Sequence, residues 1–96
     1  NLTGAWTISW NNSATNINLV KLTHRGAASF TGTYISDDKT ACPITGKMIS
    51  PTSVTLTIAC IGWEATVDGL VDNSQTISGT YRAYKTATGT FTMSRK

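Results

Sequence analysis

The chain reads as an all-β protein: an up-and-down antiparallel meander of eight strands closed into a small barrel with one disulfide. Three observations lead there. Eighteen of the 96 residues are threonine and nine are serine, against one Glu (Glu64), one Gln (Gln75) and five Leu. β-Branched residues therefore abound where helix formers are scarce. Apolar and polar residues alternate with period two through nearly the whole chain, the mark of strands with one buried face. The polar segments between these stretches are only a few residues long, which suits consecutive antiparallel strands. At this length the chain makes a single domain, 1–96.

The strands follow in order. Trp6, Ile8 and Trp10 alternate with Thr7 and Ser9, and a polar loop runs from Asn11 to Thr15. Ile17-Asn18-Leu19 then changes phase to Val20-Lys21-Leu22, which predicts a bulge near Leu19. Arg25-Gly26 is a turn, after which Phe30, Gly32 and Tyr34 share a face. The loop Ser36-Asp37-Asp38-Lys39 leads to Cys42, Ile44, Gly46 and Met48. Ser50-Pro51-Thr52-Ser53 turns the chain into Val54, Leu56, Ile58 and Cys60. Trp63, Ala65 and Val67 oppose Glu64, Thr66 and Asp68. Asp72-Asn73-Ser74 turns into Ile77, Gly79 and Tyr81, and Gly89, Phe91 and Met93 close the series.

An eight-stranded sheet with one apolar face must cover that face, and closing on itself does so while removing its edges. A two-sheet sandwich would need long crossover connections, which the short loops do not supply. A barrel of this size has an interior that side chains just fill, or that holds one small ligand. A recurring hydroxyl-Gly-x-large pattern fits closure: Thr3-Gly4-Ala5-Trp6, Thr31-Gly32-Thr33-Tyr34, Thr45-Gly46-Lys47-Met48, Ser78-Gly79-Thr80-Tyr81 and Thr88-Gly89-Thr90-Phe91, with Val67-Asp68-Gly69-Leu70 a looser relative. Glycine on the inner face allows sharp coiling and leaves room beside a bulky neighbour.

Cys42 and Cys60 lie nine residues to either side of Pro51. In a hairpin centred there they face one another on adjacent strands, within disulfide reach. One disulfide in a small, Thr/Ser-rich, weakly charged chain suits a secreted or periplasmic protein. Asn1-Leu2-Thr3-Gly4 is already strand-like, as in a mature form from which a leader or lipoprotein anchor has been removed. Asn1-Leu2-Thr3 and Asn11-Asn12-Ser13 match the N-glycosylation pattern, which matters only in a eukaryotic secretory setting.

The chemistry-bearing residues argue against an enzyme. His24 is the single histidine, beside Arg25 at a strand end, where a surface role is expected. The acids Asp37, Asp38, Glu64, Asp68 and Asp72 fall in loops or on the outer face, and nothing near a Ser or Thr would activate it. Two cysteines and one distant histidine make no zinc site, so neither a metal nor a cofactor is expected. The net charge of +3 is spread along the chain, with Arg82, Lys85, Arg95 and Lys96 near the C-terminus but without interleaved aromatics, so nucleic acid is not an expected partner. There is no run of 18 apolar residues to span a membrane. The expected interior is aromatic instead: Trp6, Trp10, Phe30, Tyr34, Trp63, Tyr81 and Phe91. These rings either fill a core or line an apolar pocket that two tyrosine hydroxyls would orient.

Leu2-Thr3-Gly4-Ala5-Trp6, Phe30-Thr31-Gly32-Thr33-Tyr34 and Ile44-Thr45-Gly46-Lys47 resemble the avidin family of the calycin superfamily over about the first half of the chain. The Gly-x-Trp element is shared with lipocalins. The resemblance implies an eight-stranded barrel holding a ligand at its open end, assembled as a homo-oligomer, with Tyr34 and Ser36 matching a tyrosine and hydroxyl of the biotin ureido site. The family's asparagine two residues after the first tryptophan is here Ile8, and Ile58 or Cys60 stands where a tryptophan would sandwich biotin, departures that speak against tight biotin binding. The first strand is also similar to that of small bacterial barrel inhibitors of secreted metalloproteases, which carry one disulfide. The expectation is thus a non-enzymatic binder of a small, mostly apolar ligand, with Trp6, Trp10, Tyr34, Ser36, Trp63, Tyr81 and Phe91 as the wall. The alternatives are a structural barrel with a filled core, or a protein-interaction module such as an inhibitor of a secreted hydrolase, using the loops 11–15, 36–40 and 72–75.

Overall fold

A computed structural model describes residues 2–11, 17–26, 28–73, 75–83 and 87–96. It is all β: β1 (Gly4–Trp10), β2 (Ile17–His24), β3 (Ser29–Ile35), β4 (Ala41–Ser50), β5 (Ser53–Cys60), β6 (Trp63–Asp72), β7 (Thr76–Ala83) and β8 (Ala87–Arg95). Each strand pairs antiparallel with the next, and β1 pairs with β8 from Trp6↔Arg95 to Trp10↔Phe91, closing the barrel in the order of the sequence.

Period-two patterning puts one face of every strand inside. Trp6, Ile8, Val20, Leu22, Phe30, Ile44, Val54, Leu56, Ile58, Val67, Ile77, Phe91 and Met93 pack into one continuous core. Outside, threonines line up in register. Thr23 pairs with Thr31, Thr31 with Thr45, Thr45 with Thr57 and Thr57 with Thr66, a ladder across five strands.

Cys42 and Cys60 form the expected disulfide, with Cα atoms 4.9 Å apart. They stand in the register that runs Ile44↔Ile58 to Met48↔Val54, and the register shifts between Met48 and Ser50 before the turn. The expected bulge near Leu19 is absent. β2 pairs without interruption with β1 (Gly4↔Leu22 to Ser9↔Ile17) and with β3 (Leu19↔Ile35 to His24↔Phe30), which leaves no extra residue to bulge. Ile17 accordingly points outward, 48 % exposed. Asn18 points inward, where its amide donates to the Ile35 carbonyl at 3.0 Å and the Asp37 carboxylate at 2.9 Å. For the amide N–H groups these partners replace water.

Two close approaches need glycine. A Cβ on Gly79 would collide with the Asp68 carbonyl oxygen and lie 2.8 Å from the Gly69 Cα, so β6 and β7 draw together where these two glycines pair. A Cβ on Gly89 would collide with Asn11 Oδ1 and crowd the Tyr81 ring at 2.6 Å.

One end of the barrel is sealed. Leu2 is buried there, its carbonyl accepting from Trp6 Nε1 at 3.0 Å and its backbone N–H donating to His24 Nε2 at 2.9 Å. The Arg95 guanidinium lies 4.5 Å from the Trp6 ring centroid and donates to the Thr3 carbonyl at 2.9 Å. His24 is therefore half-buried and tied to the N-terminal segment, 5.4 Å from the Phe30 ring, rather than the surface residue expected. It faces inward because it keeps the phase of Leu22 and Val20.

Candidate functional site

The strands leave the sealed end and rise to a mouth at which the core stops. β1 brings Trp10, β3 brings Tyr34, β6 brings Trp63 and Ala65, and β7 brings Tyr81 and Ala83. The β3–β4 loop adds Ser36, Asp37 and Asp38, and the β5–β6 turn adds Ile61. Together they line a cavity of about 510 Å³. Ala65 and Ala83 make room: both are inward positions on neighbouring strands, paired in register, and both carry only a methyl group.

The rings meet edge to face. Trp10 stands 4.9 Å from Tyr81 at 76°, Trp10 stands 6.2 Å from Tyr34 at 71°, and Tyr34 stands 5.6 Å from Trp63 at 87°. Such contacts are favoured by the opposed charge of ring edge and ring face. Polar atoms hold them in place. Trp10 Nε1 donates to the Tyr34 hydroxyl at 3.3 Å, and Asn11 Nδ2 donates to the Tyr81 hydroxyl at 2.9 Å. Asn11 is itself held, since its Oδ1 accepts from the Thr90 N–H at 3.1 Å.

The rim is acidic. The Ser36 hydroxyl donates to Asp38 Oδ1, and the Thr40 N–H donates to the same oxygen at 3.0 Å. The Ser36 hydroxyl, then Thr40, hold the Asp38 carboxyl below its ordinary value of 3.8, so it is ionised. Asp37 is held from behind by Asn18. Asn18 is 6 % exposed, and its Oδ1 is buried with no hydrogen-bond partner among the described residues.

Of the seven wall residues expected, Trp10, Tyr34, Ser36, Trp63 and Tyr81 come together around the cavity. Trp6 and Phe91 do not. Trp6 precedes Trp10 by four residues on the same face, about 13 Å along the strand at roughly 3.3 Å per residue, and it is fully buried at the sealed end. Phe91 pairs with Trp10 and Gly79 in register, but its ring fills the space over Gly69, whose Cβ would lie 2.9 Å from Phe91 Cζ. The interior is thus packed below and hollow above. Asp37 and Asp38 border the cavity although they were expected only in a loop. Ile61, Ala65 and Ala83 carry no sequence signal that separates them from ordinary turn and core residues. Residues 12–15 and 74 of the expected contact loops, Lys85 of the basic group, and Asn1, Asn12 and Ser13 of the glycosylation patterns lie outside the described residues. Among the described residues no group of three or more His, Cys, Asp or Glu could hold a metal.

No family model and no curated protein matches the chain. Among solved structures it is similar to a redesigned β-barrel, at 13 % identity with a TM-score of 0.75, over 99 % of this chain and 91 % of that one. At this identity the likeness is one of fold: a closed antiparallel barrel.

Proposed function

We propose that the protein binds one small, mostly apolar ligand non-covalently in the cup at the open end of the barrel, in the manner of an avidin- or lipocalin-like carrier. The observation that carries this reading is the hollow of about 510 Å³ walled by Trp10, Tyr34, Trp63 and Tyr81 above an otherwise packed core. Its size is that of small-molecule sites, and a wall of rings with a few placed polar groups is their usual composition. A non-catalytic role is supported by the position of His24, which caps the sealed end. The disulfide supports a secreted or periplasmic location.

The test is a fluorescence titration with the neutral apolar probe N-phenyl-1-naphthylamine, with biotin in the same series. Saturable one-to-one binding of the apolar probe is expected, weakened about tenfold by Trp10→Leu through loss of a buried aromatic contact. Absence of a saturable response to every member would overturn the reading. A second reading, a protein-interaction module, draws on Ile61, an apolar side chain 96 % exposed at the tip of the β5–β6 turn. Inhibition of a secreted hydrolase, lost in Ile61→Asp, would favour it.

A further inference from the structure

We infer that the ligand of the cup carries a compact cationic head, an ammonium group on an apolar frame. This rests on the ligand-binding reading above and names the chemical class.

Three observations converge. First, the aromatic contacts run as a chain, Trp63 to Tyr34 to Trp10 to Tyr81, each step between 71° and 87°. Successive rings stand at near right angles along the cavity wall, and ring faces carry the negative part of the aromatic quadrupole, which attracts a cation. Second, the ionisable groups among the described residues lining the cavity are Asp37 and Asp38 together with the Tyr34 and Tyr81 phenols, with no Lys, Arg or His. In a chain of net charge +3, the charged side chains among these described lining residues are both negative. Third, both carboxylates are placed by dedicated contacts. Asn18 Nδ2 holds Asp37 at 2.9 Å, and Ser36 and Thr40 hold Asp38. A carboxylate held in position loses less side-chain entropy when it meets a cation than a free one does.

Several donors at the mouth are already engaged. Trp10 Nε1 serves the Tyr34 hydroxyl, Asn11 Nδ2 serves the Tyr81 hydroxyl, and the Ser36 hydroxyl serves Asp38. A neutral apolar body is received by the rings, and a positive head by the rings and carboxylates together. Asn18 acts here as a positioning residue for Asp37.

Three probes of one shape separate charge from size: choline, its neutral carbon isostere 3,3-dimethylbutan-1-ol, and the anion 3,3-dimethylbutanoate. Each is titrated by tryptophan fluorescence and by competition against N-phenyl-1-naphthylamine. Choline is expected to bind about tenfold more tightly than the neutral isostere, a typical gain for a partly desolvated cation on aromatic faces, and the anion more weakly than either. Asp37→Asn is expected to reduce the ratio of choline affinity to neutral-isostere affinity about threefold. Asp37 is exposed, and circular dichroism and the melting temperature report that the variant is folded. Equal binding of choline and its isostere, with the apolar probe still bound, would overturn the cationic assignment and leave the binding function standing. If no probe binds, both fall.

Discussion

At the scale of single residues, the barrel depends on side chains that are absent as much as on those present. At Gly79 a methyl group would meet the Asp68 backbone oxygen, an atom that cannot move without breaking the β6–β7 ladder. Gly79→Ala is therefore expected to destabilise the fold by about 3 kcal/mol, the upper part of the overpacking range, measured by urea unfolding. Asp38 shows the opposite case, a placed polar group. Its carboxyl titrates below its ordinary value because the ionised form accepts from Ser36 and Thr40. A pKa lowered on folding favours the folded 36–40 loop above the ordinary carboxylate range, and that contribution is lost as pH falls through the lowered value. In an NMR titration the Asp38 midpoint should lie below 3.8, and Ser36→Ala should raise it. The chain reveals Asp38 as a loop acid, but not that a serine two residues earlier turns back to hold it. Asn18 was less legible still. Its neighbours Ile17 and Leu19 are the apolar pair, so local pattern assigns them the interior, whereas pairing with two flanking strands reverses the assignment.

At the scale of elements, the β4–β5 hairpin was legible almost completely. Two cysteines at equal distance from a Pro-containing turn face each other wherever that hairpin forms, and they do so here with Cα atoms 4.9 Å apart. A closed loop of this size lowers the entropy of the unfolded chain, so reduction, or replacement of both cysteines by alanine, is expected to cost roughly 3 kcal/mol. Calorimetry with and without reductant measures this, and the native protein should show no titratable thiol. The threonine ladder from Thr23 to Thr66 belongs to the same scale. Alternation shows that threonines face outward on each strand, but only the register places one beside the next, where cross-strand hydroxyl and methyl contacts each contribute roughly 0.2–1 kcal/mol. That register is set jointly by every turn, and no single segment encodes it.

For the molecule as a whole, the two ends of one barrel have different fates. At the sealed end Leu2 plugs the interior and ties Trp6 to His24. Leu2→Ala should cost roughly 2 kcal/mol, as for a buried large-to-small change, and should expose Trp6 to an aqueous quencher such as acrylamide. At the mouth the same strand pattern leaves a hollow, because Ala65 and Ala83 take inward positions where other layers carry Val67, Ile77 or Phe91. The sequence by itself determined the eight strands, the inward faces of all but the start of β2, the closed meander and the disulfide, because period-two patterning and turn spacing are local and most strands report their own two faces. Only the tertiary structure decided which aromatics are core and which are wall, and that Asp37 and Asp38 join the wall with Asn18 behind Asp37. Height along a barrel depends on tilt and register summed over all strands, so Trp6 and Trp10 look alike in the chain yet stand in a packed floor and an open mouth.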